Sequence, residues 1–131
     1  MNGEIEMPKY FLDTYALIEL VKKNPNFEKF ASIRQSVTGK LNLMELYYYL
    51  LRDHGKQTAD REYSLFAAAV VNYSDEAMKK AMELRVKLRR EKRLKLSYAD
   101  AVGYQIALDS ALEFVTGDPA FENLPSVEFL K

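Results

Sequence analysis

Four carboxylates carry most of the chemistry open to this chain: Asp13, Glu45, Asp100 and Asp118. The sequence has no cysteine and a single histidine, which removes disulfides, thiolate nucleophiles and cysteine-bound zinc together. Oxygen donors without nitrogen or sulfur suit hard divalent cations, magnesium or manganese, with water completing the coordination. If such acids met in one pocket their repulsion would be large, because two charges ~4 Å apart interact by about 4 kcal/mol at an effective dielectric near 20. A divalent cation is the natural compensation. Spacing along the chain does not by itself show that the four converge.

Three of the four also have an ordinary structural explanation. Asp13 ends the β-type run KYFL and precedes a helix, where its carboxylate can accept amide hydrogens of the first turn; taken alone, that capping role is favoured by roughly two to one. Asp100 closes Ser97-Tyr98-Ala99-Asp100, a variant of the capping box. Asp118 stands before Pro119, and Asp at the cap with Pro at the first helical position is a common helix start. Glu45 has no such explanation. In LNLMELYYYLL nearly every neighbour is apolar or aromatic, and its turn-mates Leu41, Asn42, Tyr48 and Tyr49 form no charged stripe. A carboxylate buried there needs a cation, a set of hydrogen bonds or a raised pKa; a partly exposed position is equally open.

The elements that would position these acids alternate between strand and helix. Lys9 to Leu12 reads as a short strand. The helix that follows from Tyr15, with apolar positions Tyr15, Leu17, Ile18 and Val21, is stopped by Asn24-Pro25. Between Asn26 and Gly39 the pattern is weak: Phe27, Phe30 and Ile33 suggest a short helix, and Ser36 to Thr38 a strand. Leu41 to Arg52 reads as a helix closed near His54-Gly55. A helix over Asp60 to Ala69 then feeds a buried strand at about Ala69 to Tyr73. Ser74-Asp75-Glu76 opens a long amphipathic helix with apolar positions Ala77, Met78, Ala81, Leu84, Val86 and Leu88. Ser97 opens a helix to about Ala111, Leu112 to Thr116 is an apolar strand, Gly117-Asp118-Pro119 turns into a short helix, and Val127 to Leu130 is a last edge strand. Such alternation predicts an α/β sheet covered on both faces. In those sheets ligands gather beyond the carboxyl ends of the strands, and Asp13 and Asp118 both directly follow predicted strands.

The length of 131 residues suits one domain with a real core, and 48% hydrophobic with 29% charged residues excludes a disordered or fibrous chain. No apolar run approaches the ~20 residues that cross a bilayer. The opening MNGEIEMPKYFLD lacks the basic and apolar regions of a signal peptide, and residues 1–8 read as a leader before the first strand. Formal net charge is zero, yet Lys79 to Lys95 holds nine basic residues against two acids, an excess of +7 that leaves −7 for the rest. Basic and acidic surfaces should therefore be separate. A cytoplasmic location is the default expectation.

Read in order, YFLDTYALIEL, LNLMELYYYLL, LSYADAVGYQIAL and FVTGDPAF resemble the PIN-domain family, and within it the VapC-type toxins. The resemblance runs from Lys9 to Leu130 and is weakest between Asn26 and Gly39. No single piece is specific; the ordered set is. It implies a three-layer α/β/α fold with a short, mostly parallel sheet in a single domain over residues 1–131, and a metal-dependent ribonuclease site. The Asp that ends the family's first strand matches Asp13, and its helical Glu matches Glu45. The Asp early in the late helix matches Asp100, and the Asp of its T-x-D-x-x-F signature matches Asp118, with Thr116 and Phe121 in place. By that resemblance Asp13, Asp100 and Asp118 would bind magnesium or manganese directly. Glu45 would be a metal ligand through water or a base-like positioner. Thr14, Thr116 and Asn42 look like supporting or substrate-positioning groups. One or two such ions would activate a water for in-line attack on a phosphodiester. The partners implied are an RNA substrate, an antitoxin protein and a second copy of the chain.

Other features compete for notice. His54, beside Asp53 and Gly55, reads as a helix C-terminal cation rather than a catalytic group. The basic stretch could hold RNA phosphates, Arg85, Arg89, Arg90 and Arg93 first among them, or be a solvated helix face. Tyr47, Tyr48 and Tyr49 could stack on bases, but consecutive residues point in different directions around a helix and some must be core. The apolar faces of the early helices could form a groove for an antitoxin segment. Three functions remain in view: a toxin endoribonuclease, a PIN nuclease of RNA processing or one acting on DNA, and a non-catalytic PIN-fold interaction protein. A phosphatase built on Asp13-Thr14 lacks the second Asp of a D-x-D nucleophile motif.

Overall fold

The run Tyr10–Leu12 forms the central strand, β1, of a parallel sheet in the computed structural model, which describes residues 7–131. The leader expected over residues 1–8 lies, for its first six residues, outside that range. Among the described residues, the chain continues through α1 (Thr14–Val21), β2 (Ser36–Gly39), α2 (Lys40–His54), α3 (Lys56–Ala67) and β3 (Val70–Val71). It then runs through α4 (Asp75–Lys92), α5 (Tyr98–Asp109), β4 (Glu113–Thr116) and β5 (Val127–Phe129), with 3-10 turns at Pro25–Phe30 and Pro119–Phe121. The strand order is β3-β2-β1-β4-β5, and every pairing is parallel.

Side chains alternate across the sheet, as the two-residue period of a strand requires. Phe11 and Phe114 point into a cluster with Ala81, Leu88, Val102 and Tyr104 of α4 and α5. Their neighbours Leu12 and Val115 point the other way, onto Leu17, Leu43, Leu46 and Ala59 of α1, α2 and α3. Both faces are therefore covered, and the architecture is the expected three-layer α/β/α sandwich. The Phe11 and Phe114 rings lie nearly parallel with centroids 5.8 Å apart, and Tyr104 meets Phe114 edge-on at 5.5 Å.

Several boundaries differ from those expected. Phe27 and Phe30 are buried in the 3-10 turn, but Ile33 lies beyond it and is exposed. Gly55, with φ of 86°, ends α2 as anticipated, yet α3 starts at once at Lys56 rather than near Asp60. The strand expected over 69–73 shrinks to Val70–Val71 and is half-buried, because it is the sheet's edge and has a neighbour on one side only. α5 stops at Asp109, since Ala111 adopts a left-handed φ of 55°. In α4 only Ala81 and Leu88 are buried, while Met78 and Val86 remain 41% and 50% exposed. Ala81 and Leu88 lie seven residues apart and share the stripe that packs on α5; Met78 and Val86 fall outside it. No helix among the described residues is long and apolar enough to cross a membrane.

Candidate active site

The chain leaves β1 towards β2 and β3 on one side, then crosses to β4 and β5 on the other. The connections from the carboxyl ends of β1 and β4 thus diverge and leave a crevice, the usual ligand position in such sheets. Leu12 pairs with Val115, so the next residues, Asp13 and Thr116, emerge side by side at the mouth of that crevice. Asp13 caps α1: its Oδ1 accepts the Ala16 amide at 2.8 Å. The Thr116 side chain is hydrogen-bonded to the same carboxylate, while Thr116 Oγ1 accepts the Asp118 amide at 3.0 Å. One hydroxyl therefore links two of the acids. Asp118 in turn caps the following 3-10 turn by accepting the Ala120 amide at 3.0 Å.

The other two acids arrive on helices from opposite layers. α2 begins directly after β2, so its second turn, with Glu45, hangs over the end of the sheet. Glu45 Oε1 accepts the Thr14 hydroxyl at 2.5 Å, and Asn42 Nδ2 donates to Thr14 Oγ1 at 3.2 Å. This relay orients the carboxylate. Asp100 comes from α5, where Ser97 Oγ caps the helix by accepting the Asp100 amide at 3.0 Å. All four acids line one cavity of about 360 Å³, together with Thr14, Tyr15, Ser97, Gly117, Pro119 and Lys131.

Burial and like charge set the electrostatics. Asp13 is only 2% exposed. Loss of solvent pushes its carboxyl up to about 8, against hydrogen bonds from Thr116 and Ala16, and the charges of Asp100 and Asp118 push the same way. Burial likewise lifts Asp100 to about 6, opposed by its hydrogen bonds to Ser97 and assisted by Asp118 and Glu45. Among the described residues none of the four acids is ion-paired, and the Lys131 ammonium lies over the Phe129 ring instead.

The donor set suits a hard divalent cation: carboxylates and hydroxyls, partly desolvated, with negative charge left uncompensated. Among the described residues, however, no three acids are already drawn into a ready-made coordination group. The physical reason is in the hydrogen bonds above. Asp13 and Asp118 are each held by a backbone amide and Glu45 by Thr14, and mutual repulsion offers nothing to draw them closer. Each carboxylate has a second oxygen, so capping and metal binding are not exclusive.

The remaining candidates are spread more widely. Arg85 is partly buried, its Nε donating to the Leu96 carbonyl at 2.8 Å, whereas Arg89, Arg90 and Arg93 are exposed along and just beyond α4. Arg90 faces a groove lined by Met82 and Val86. His54 stands exposed at the end of α2 with its ring 5.8 Å from that of Tyr49. Of the three tyrosines, Tyr48 is exposed and Tyr47 and Tyr49 are half-buried; Tyr47 donates to Asp60 at 2.6 Å. Sequence reasoning passed over Tyr15, Ser97, Gly117 and Lys131 as cavity residues. Ser97 and Gly117 stood within the motifs that were read; nothing local marks Tyr15 or Lys131.

Gly117 is required for space. A Cβ there would overlap the Tyr15 ring and lie 2.7 Å from the Leu130 carbonyl oxygen, which is backbone and has little freedom to retreat. Gly117→Ala should therefore destabilise the protein by about 1–3 kcal/mol, read as a lower urea midpoint at unchanged slope. Asp13 generates a pH prediction. Because its folded-state value lies above the ordinary 3.8, the carboxyl favours the fold while protonated. That contribution is present below about pH 4 and is lost as pH rises through about 8. In chelator, wild type should lose melting temperature between pH 5.5 and 8.5. Asp13→Asn, which keeps an oxygen for the Ala16 amide, should lose only the smaller part that Asp100 contributes up to about pH 6. The gap at the higher pH should reach about 4 °C or more, the shift that 1 kcal/mol produces in a domain of this size. A pH-independent difference between the two proteins would contradict the assignment.

A PIN-domain family model matches residues 10–127. No curated protein matches the sequence. A chain of the DNA-bound VapBC structure from Salmonella typhimurium shares 22% identity over 95% of this chain and 98% of its own, with a TM-score of 0.74. VapC20 of Mycobacterium tuberculosis, a toxin that cleaves the sarcin-ricin loop, shares 18% over 94% and 100%, with a TM-score of 0.71. A chain of a toxin–antitoxin complex from Klebsiella pneumoniae shares 22% over 92% and 96%, with a TM-score of 0.68. At such identities these likenesses establish the fold. Since the family model covers nearly the whole of the described chain, this protein belongs to the PIN-domain family.

Proposed function

We propose that this chain is a metal-dependent endoribonuclease and the toxin of a VapBC-type toxin–antitoxin pair. The observation that carries this reading is the meeting of four carboxylates, none ion-paired among the described residues, in one cavity at the carboxyl ends of β1 and β4. Asp13, Asp100 and Asp118 would hold Mg2+ or Mn2+. When bound, such a cation supplies Lewis acidity, making water more acidic and spreading the charge of an attacked phosphate. The chain's own groups do the rest. Glu45, oriented by the Asn42–Thr14 relay, would accept a proton from a water that attacks phosphorus in line, while the opposite P–O bond breaks and the leaving oxygen takes a proton from solvent. Thr116 holds Asp13 and Asp118 in fixed relation, and the cavity floor excludes bulk water from the buried Asp13.

The toxin part of the proposal draws on the near full-length likeness to chains of toxin–antitoxin structures. The landing stripe for an antitoxin helix would be Met44, Tyr48 and Leu51, which are exposed on α2 at i, i+4 and i+7 spacing. A homodimer belongs to the same reading, supported by the resemblance, while a cytoplasmic location and a single domain over residues 1–131, with residues 1–8 as a leader, rest on composition and length.

Purified protein should cut single-stranded RNA in Mg2+ or Mn2+ and stop on addition of EDTA. Asp100→Asn should lower the rate by at least about 100-fold, the scale for removing a group that stabilises transition-state charge. Mn2+ at about 100 times its Kd should also stabilise wild type by about 2.7 kcal/mol, read as a higher melting temperature. Equal cleavage by wild type and Asp100→Asn, or cleavage indifferent to EDTA, would reject the assignment. In cells, expression should arrest growth, and Asp13→Asn should relieve the arrest.

A further inference from the structure

Ser97 lines the acidic cavity, and the next residue, Tyr98, opens α5 with 63% of its surface exposed. A solitary exposed tyrosine is ordinary. This one is braced. The Arg85 guanidinium of α4 lies 4.7 Å from the centre of the Tyr98 ring. Arg85 is itself pinned, through its Nε and the Leu96 carbonyl, at 2.8 Å. The ring is thus backed by a fixed cation and otherwise largely open to solvent, on the residue next to one that lines the carboxylate cavity.

The brace also continues into a line of charge. Arg89 and Lys92 follow Arg85 at i+4 and i+7, on the same side of α4, and both are exposed. Arg90 is on a different side, beside Met82 and Val86. A chain of zero net charge therefore presents a narrow basic track that begins at an aromatic platform beside its acidic site. Paired bases in a duplex hide their faces, whereas single strands offer them for stacking on aromatic rings while cations track the backbone.

We propose that Tyr98, held by Arg85, stacks on a base of single-stranded RNA one or two nucleotides from the phosphate that is cut, with Arg89 and Lys92 taking the phosphates beyond. This deepens the nuclease reading and rests on it for the identity of the nearby cut. Arg85 acts as a positioning residue, and Tyr98 sets where the strand lies.

The test uses the full chain carrying Asp100→Asn and a fluorescent single-stranded RNA of about 12 nucleotides, with binding read by fluorescence anisotropy. Adding Tyr98→Leu should weaken binding about tenfold, and adding Tyr98→Phe should leave it nearly unchanged, because only the π face is used. Duplex RNA should show no such difference. In the active enzyme Tyr98→Leu should raise KM with kcat unchanged, since the stack is made equally before and during the chemical step. Arg89→Ala with Lys92→Ala should reduce the slope of log Kd against log salt by about 1.4, the value for two single-strand phosphate contacts. The proposal is overturned if Tyr98→Leu lowers the melting temperature but leaves Kd and KM as they were, because the pair then only clamps the α4–α5 connection. An unchanged salt slope removes the phosphate track. If wild type cuts no RNA while binding still depends on Tyr98, the platform stands and the nuclease reading falls.

Discussion

The structure is organised around a carboxylate that solvent has largely abandoned. Asp13 sits at the end of the central strand, 2% exposed, where an unpaired charge carries a penalty of several kcal/mol. Two hydrogen bonds oppose that penalty, from the Ala16 amide and from Thr116, and bonds to a charged group contribute about 1.5–3 kcal/mol each. The two sides are comparable, but nearby Asp100 and Asp118 add repulsion. The carboxyl therefore stays protonated well above its ordinary range unless a cation arrives. In either state its Oδ1 caps α1 through the Ala16 amide; ionised, it has no ion-pair partner among the described residues.

That constraint explains the division of labour among the three layers. The sheet supplies Asp13 and Asp118 through adjacent parallel strands whose register sets Asp13 beside Thr116. One helical layer supplies Glu45 on α2, and the opposite layer supplies Asp100 on α5. Each acid is anchored by a partner close to it: an amide in the next turn, a Thr hydroxyl, a Ser cap. The anchors keep the acids in one cavity without collapsing them onto one point. Repulsion between them falls off with distance and solvent access, so an open arrangement is the stable one without a cation.

The same geometry separates acid from base. No basic residue of α4 lines the acidic cavity among the described residues, and Arg85 packs instead on Tyr98 and the Leu96 carbonyl at the start of α5. Basic side chains placed among the carboxylates would neutralise them. Charge balance near zero for the whole chain is the sum of a basic excess over Lys79 to Lys95 and an equal acidic excess over all the rest.

Interactions within a turn or two were legible in the sequence. The caps at Asp13, Ser74, Ser97 and Asp118, the stop at Gly55 and the strand–helix alternation all follow from residues a few positions apart. So did the ordered acidic motifs that identify the family. What tertiary structure alone decided was everything that depends on distant segments meeting. Thr14 and Glu45 are 31 residues apart in sequence, and only the packing of α2 over the end of β1 makes them partners. The shortness of β3 follows from its place at the edge. The exposure of Met78 and Val86 follows from which stripe of α4 meets α5. Local propensity reaches about one helical turn along the chain, whereas register, crossover and helix docking are settled by contacts summed over the whole core. The acids could be named from the sequence; their sharing of one cavity could not.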